Sequence, residues 1–131
     1  MKCWGKNSNG QLGNGTTADS LTPVAALATG VQSVTAGQDF TCAAVVSDVV
    51  QCWGNNAHGQ LDDGDSHGDS SVPVLVNPLP AGVMEVKSGQ GHTCSLHRSG
   101  AVYCWGQNNR GQLGNGGNTA SGTPVQVVGL P

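Results

Sequence analysis

Five cysteines, four histidines and a run of carboxylates are the residues of this chain with the most chemistry to offer. The cysteines stand at 3, 42, 52, 94 and 104, so that two pairs, Cys42 with Cys52 and Cys94 with Cys104, share one separation. Thiols at such positions can act as nucleophiles, metal ligands or disulfide halves. No C-x-x-C occurs, and His58, His67, His92 and His97 have no spacing in common that would make a zinc site. Cys94 lies between His92 and His97, which suggests a thiol nucleophile, but a cysteine belonging to a recurring pair is expected to be bonded. No Ser, His and Asp fall in an order with supporting context, so no catalytic residue is assigned and the chain reads as a non-enzyme.

The carboxylates concentrate in Asp62-Asp63-Gly64-Asp65-Ser66-His67-Gly68-Asp69. Laid on a calcium-binding loop, Asp63, Asp65 and Gly68 fit the first, third and sixth places, but the fifth is His67 and the twelfth is Val74, where a bidentate Glu is required. The segment therefore reads as a solvated acidic loop, with no metal assigned. Asp62 replaces a glycine expected to have positive φ, which Asp tolerates at small cost. Gly10 to Gly15 and Gly111 to Gly116 run G-x-x-G-x-G, lack the Lys-Ser/Thr of a phosphate loop and precede no helical pattern, so they read as turns and imply no cofactor. Asn14-Gly15-Thr16 is a glycosylation sequon.

The elements that must position these residues come from an internal repeat. Cys-Trp-Gly occurs at 3–5, 52–54 and 104–106, followed each time by Asn-x-x-Gly-Gln-Leu (Asn7 to Leu12, Asn56 to Leu61, Asn108 to Leu113) and then by Pro23-Val24, Pro73-Val74 or Pro124-Val125. The second half recurs as Val34 to Gln51 and Val86 to Tyr103. The units span 3–51, 52–103 and an incomplete 104–131, one continuous domain over 1–131. Alternating Val, Ala and polar residues predict strands near Pro23–Ala26, Val31–Ala36, Thr41–Val46 and Val49–Trp53, with equivalents about 51 residues later. Glycine, 21 of 131 residues, is about twice the usual share and suits tight turns between short strands. Four short strands per unit describe a propeller blade, so the fold is all-β: about 2.5 four-stranded blades of a partial β-propeller.

If the hairpins turn about Ser47 and Ser99, each cysteine pair sits directly opposite across two antiparallel strands. Opposed Cα atoms at a non-hydrogen-bonded position lie about 4.5 Å apart, which a disulfide accepts. Two disulfides are thus expected, with two pairs of reduced, half-buried thiols as the alternative. Cys3 is left unpaired. Disulfides imply an oxidising compartment, hence an extracellular or cell-surface location.

CWGxNxxGQLGxG, then PVxV, then VxxGxxHTCxLxxxGxVYCWG, resembles the repeats of the regulator of chromosome condensation family, in a Cys-Trp-Gly and His-Thr-Cys spelling similar to that of secreted bacterial members. The resemblance implies a propeller, commonly of seven blades, whose remaining blades belong to a longer parent chain; copies closing a ring as a homo-oligomer are the rival arrangement. It also implies that Trp4, Trp53 and Trp105 fill the space between blades, with Leu12, Leu61 and Leu113 in the repeat core. A light-sensing tryptophan cluster would need tryptophans beyond these.

Net charge is −3 with 10% charged residues, which leaves no basic patch for nucleic acid. No apolar run approaches the roughly 18 residues that span a membrane. Function is expected in a protein partner engaged by the loops that vary most between units, Thr16 to Thr22, Asp62 to Val72 and Gly117 to Thr123. Guanine-nucleotide exchange on a small GTPase, which the family resemblance implies, and a targeting appendage of a larger enzyme are the alternatives.

Overall fold

Short strands separated by glycine-rich turns form throughout the computed structural model, which describes residues 1–62 and 68–131. In chain order they are β1 (Lys2–Gly5), β2 (Ser20–Ala25), β3 (Val31–Ala36), β4 (Phe40–Val45), β5 (Val49–Gly54), β6 (Ser70–Leu75), β7 (Val83–Ser88), β8 (His92–His97), β9 (Val102–Gly106) and β10 (Ser121–Gln126). Helical structure among the described residues is confined to a 3₁₀ turn at Val46–Asp48, between β4 and β5. Ser47 and Asp48 have φ of 69° and 62° there, and Gly100 takes φ 87° in the equivalent turn, so both hairpins close through left-handed residues. The strands of the first unit match the sequence expectation to within three residues at each end.

All pairing is antiparallel, in a two-stranded sheet β1-β2 and two four-stranded sheets, β3-β4-β5-β6 and β7-β8-β9-β10. The sheets are out of phase with the sequence units by half a blade. Each unit that opens on Cys-Trp-Gly supplies the last two strands of one sheet and, after crossing at 26–30 or 76–82, the first two of the next. The half-sheet accordingly stands at β1-β2, and 104–131 completes a full sheet with β9 and β10.

Register follows the pleat. Cys42 faces Cys52 and Cys94 faces Cys104 across β4-β5 and β8-β9. In β4 every residue is buried, because the strand has a sheet on either side. Phe40, Cys42 and Ala44 join the core shared with the next blade, with Val50, Leu61, Val86 and Trp105, whereas Ala43 and Val45 turn to the preceding side with Ala28 and Trp53. The small alanines let the neighbouring layers approach β4 closely from both sides. The Cys-Trp-Gly glycines close the same strands: Gly54 and Gly106 have φ of 108° and 102°. A Cβ there would lie 2.6 Å from the Asp39 carbonyl oxygen or 2.5 Å from that of Gly91, so no other residue fits the end of this strand.

Leu12, Leu61, Leu113, Trp53 and Trp105 are buried as the repeat core requires, but Trp4 is 64% exposed. The expectation for Trp4 is corrected for a physical reason. Trp53 and Trp105 are covered by the Gly-Gln-Leu turn of the preceding unit, whereas no such turn within residues 1–131 covers Trp4. The acidic loop also needs correction at Asp62, which is 2% exposed rather than solvated. It accepts a hydrogen bond from the Asn77 amide at 2.9 Å and has φ 51°, matching 66° at Gly13 and 59° at Gly114. Asp63, Asp65 and His67 lie outside the described residues.

Candidate functional site

Each connection that follows Cys-Trp-Gly is built on one buried asparagine. Asn7 Oδ1 accepts from the Leu12 amide at 2.9 Å, and its Nδ2 donates to the carbonyls of Thr16 at 2.9 Å and Ala18 at 3.0 Å. Asn108 repeats this with the Leu113 amide at 2.9 Å and the carbonyls of Gly117 at 3.2 Å and Thr119 at 2.9 Å. Asn56 accepts from the Leu61 amide at 3.0 Å. All three asparagines are fully buried. A carboxamide suits the place because it offers an acceptor and two donors on one rigid plane, so a single side chain clamps both limbs of an irregular loop. The sequence phrase contained these asparagines at one position in all three units, but their role emerges only once burial shows that the loop folds back over them.

The same turns join neighbouring blades. Trp53 Nε1 donates to the Gln11 carbonyl at 3.0 Å, and Trp105 Nε1 to the Gln60 carbonyl at 2.9 Å. The indole thus finds a partner for its one polar atom while filling the gap between blades. Outside this frame the loop tips differ. Thr16 to Asp19 and Gly117 to Ala120 are exposed, and Leu21 is 100% exposed at the start of β2. The middle tip is described only from Gly68 onward; there Asp69 accepts from the Asn56 amide at 3.0 Å and from Asn9 Nδ2 of the preceding unit at 2.7 Å. The loops after β1 and β9 leave equivalent ends of their strands, so their described tips fall on one side of the row of blades.

The junctions on that side are not equivalent. At the first, Asp39 holds Lys6 Nζ at 2.8 Å and Gln11 Nε2 at 3.2 Å. At the second, Gly91 replaces Asp39 and Asn55 replaces Lys6, and Gln60 Nε2 turns to Asn55 Oδ1 at 2.9 Å. A cleft of about 240 Å³ remains, bordered by Asp39, Asn55, His58, Gln60, Gln90 and Gln107. Its amides offer donors and acceptors to a polar backbone.

Of the candidate reactive groups, the four paired cysteines, His92 and His97 are engaged in the fold. The sulfurs of Cys42 and Cys52 are 2.09 Å apart with Cα atoms at 4.1 Å, and those of Cys94 and Cys104 are placed identically. Cys94 therefore has no thiol to offer. Cys3 is the free cysteine among the described residues, and burial pushes its thiol above the ordinary value. His92 lies over Gly89 as Phe40 lies over Gly37, each ring occupying the space a Cβ would take. Burial pushes the His92 imidazole below its ordinary range. His97 Nε2 meets Ser95 Oγ at 3.0 Å, but Ser95 is 0% and His97 2% exposed, so this pair is a core hydrogen bond out of reach of any substrate. Among the described residues no His, Cys, Asp and Glu gather as a metal site, and no helix is long and apolar enough to cross a membrane.

With this geometry in hand, comparison with known proteins is informative. The profile of the regulator of chromosome condensation (RCC1) repeat matches residues 3–44, 49–96 and 99–131. The chain is 38% identical over 120 residues to the ultraviolet-B receptor UVR8 of Arabidopsis thaliana, covering 88% of this chain and 27% of that protein. It is 34% identical over 133 residues to the E3 ubiquitin-protein ligase HERC2 of Homo sapiens, covering 97% of this chain and 3% of the ligase. Yeast RCC1 (Prp20), solved bound to Kap60, superposes with a TM-score of 0.82 at 20% identity, over 99% of this chain and 34% of that one. The chain thus spans about a quarter of the receptor, a small part of the ligase and a third of the solved propeller.

Proposed function

The chain belongs to the regulator of chromosome condensation (RCC1) repeat family, and from that membership we propose that it is a non-catalytic protein-interaction module, a run of blades within a larger propeller whose loop tips take hold of a protein partner. The observation that carries this reading is the contrast between frame and tip. Buried Asn7 and Asn108 hold the first and third loops through the same set of hydrogen bonds, while the exposed residues those loops present differ. A rigid scaffold with variable loops on one side is how folds present binding chemistry. The polar cleft beside Gly91 lies on the same side and suits a partner's backbone. The two bonded cysteine pairs support an oxidising location, extracellular or at the cell surface.

Position-specific photocrosslinking tests the reading. A photoreactive side chain at Thr17 or Asn118, in the loop tips, is expected to capture one protein from the source organism, competed away by unlabelled chain. The same group at exposed Ser99, at the opposite end of β9, is expected to capture none. Equal capture from all three positions, or none from the loops, overturns the proposal. Accelerated release of labelled GDP from a small GTPase would replace it with the exchange-factor reading.

A further inference from the structure

The two junctions between blades are built from the same sequence phrase, so each position at one can be set against its counterpart at the other. At the first, Lys6 and Asp39 close the space with an ion pair at 2.8 Å, and Gln11 Nε2 donates to the same carboxylate at 3.2 Å. At the second, the counterparts are Asn55 and Gly91, which cannot form that pair, and the cleft of about 240 Å³ stands in its place. The sheets on either side of this junction are both four-stranded, so the opening comes from the substitutions and not from the ends of the chain. What borders it is neutral and polar. A Cβ at Gly91 would stand 2.8 Å from Gln107 Oε1 and 3.3 Å from His58 Cδ2, so the bare glycine lets an amide oxygen and the carbon edge of a ring close over it. Gln60, 2% exposed, is fixed: its Oε1 accepts from the His58 amide at 2.8 Å and its Nε2 donates to Asn55 Oδ1 at 2.9 Å. The carboxamides of Gln38, Gln90 and Gln107 make no hydrogen bond among the described residues, so three sets of donors and acceptors stand ready around one opening.

These groups narrow the ligand by its chemistry. Among the described residues no Lys or Arg borders the cleft to hold an anion, and its carboxylate, Asp39, is already held by Lys6. No hydrocarbon side chain borders it to take an apolar group. A hydroxyl donates one hydrogen bond and accepts two, and a carboxamide is the neutral side chain that answers both. A peptide backbone finds partners here too, but adjacent hydroxyls use a carboxamide's donor and acceptor together. We propose that the cleft at the second junction is a binding site for a neutral saccharide, holding one pyranose ring with its adjacent hydroxyls on the amides of Gln38, Gln90 and Gln107 and its C–H bonds against the carbon edge of His58. A volume below the roughly 300 Å³ at which sites for drug-sized ligands begin suits one ring and not a chain of them. The assignment goes beyond the loop-tip reading and does not rest on it.

The test titrates the whole chain, isotope-labelled for amide spectra, with the methyl glycosides of glucose, galactose and mannose to about 50 mM, past the Kd of about 1 to 10 mM that so small a ligand reaches in an open polar site. At least one glycoside is expected to shift the Gly91 amide and the side-chain amides of Gln90 and Gln107 in a saturable way. Gln107→Ala removes a carboxamide that no contact of the fold uses, and is expected to weaken binding about threefold or more while leaving the rest of the spectrum in place. Asn55→Lys with Gly91→Asp copies the closed first junction and is expected to abolish it. No saturable shift from any of the three glycosides, or the same shifts in the closed variant, overturns the proposal. Shifts from tetraglycine with none from the glycosides hand the cleft to a peptide backbone, and a trisaccharide that binds about tenfold tighter than the matching glycoside overturns the one-ring assignment. Photocrosslinking at the loop tips is read separately, so this proposal and the loop-tip reading fail independently.

Discussion

Asn108→Ala tests the idea that one buried carboxamide holds each loop. The substitution removes four hydrogen bonds, from the Leu113 amide at 2.9 Å, to the carbonyls of Gly117 at 3.2 Å and Thr119 at 2.9 Å, and a longer one to Asn115 Oδ1 at 3.3 Å. Such bonds are worth about 1 kcal/mol each net, and an amide left unsatisfied in the core costs more than the mean, so the expected loss is about 3 to 4 kcal/mol. For a chain of this size that corresponds to a fall in Tm of about 10 °C. The assay is urea denaturation with hydrogen exchange at the Leu113 amide, set beside exposed Asn118→Ala, which is expected to change stability by less than about 0.5 kcal/mol. Asn108→Asp adds a signature that lost volume cannot imitate. The carboxylate keeps the acceptor for Leu113 but sets a charged oxygen against two carbonyls, which raises its folded pKa above the unfolded value. Stability relative to the unsubstituted chain is then best below the unfolded carboxylate pKa and is lost as pH rises through the folded one. A loss under about 0.5 kcal/mol in Asn108→Ala, with Leu113 still protected, refutes the clamp.

Gly13→Ala is expected to be far more damaging than Gly116→Ala in thermal melts: both have positive φ, but a Cβ at 13 would stand 2.6 Å from Trp53 Nε1 and one at 116 meets nothing within 4 Å. Alkylation of the native, unreduced chain is expected to label Cys3 alone by mass, and Cys42→Ala with Cys52→Ala to lower stability by about 2 to 3 kcal/mol, the chain-entropy figure for so short a loop. Burial lowers the His92 pKa in the folded state, so its neutral form is favoured there; stability is expected to be full above the unfolded histidine value and to fall as pH drops through it toward the folded one. His92→Phe, which copies Phe40, is expected to remove that part of the pH dependence.

Local rules suffice for what repeats. Period-two alternation, glycine punctuation and the threefold Cys-Trp-Gly set the strands and the all-β propeller class. The symmetry of each hairpin about Ser47 or Ser99 set Cys42 against Cys52 and Cys94 against Cys104, because antiparallel register is arithmetic in residue number. Positive φ at Asp62 was legible because two glycines stand at the same place. What lay beyond local rules depends on which surfaces meet. Trp4 and Trp53 share a sequence context, yet one is exposed and the other buried, since burial belongs to the neighbouring blade and not to the residue. The half-blade offset between units and sheets, the buried asparagine clamp, and the polar cleft where Gly91 stands in place of Asp39 all arise between segments far apart in the chain. A repeat therefore specifies its own strands by itself, while its cores, junctions and open edges exist only where two repeats are brought together.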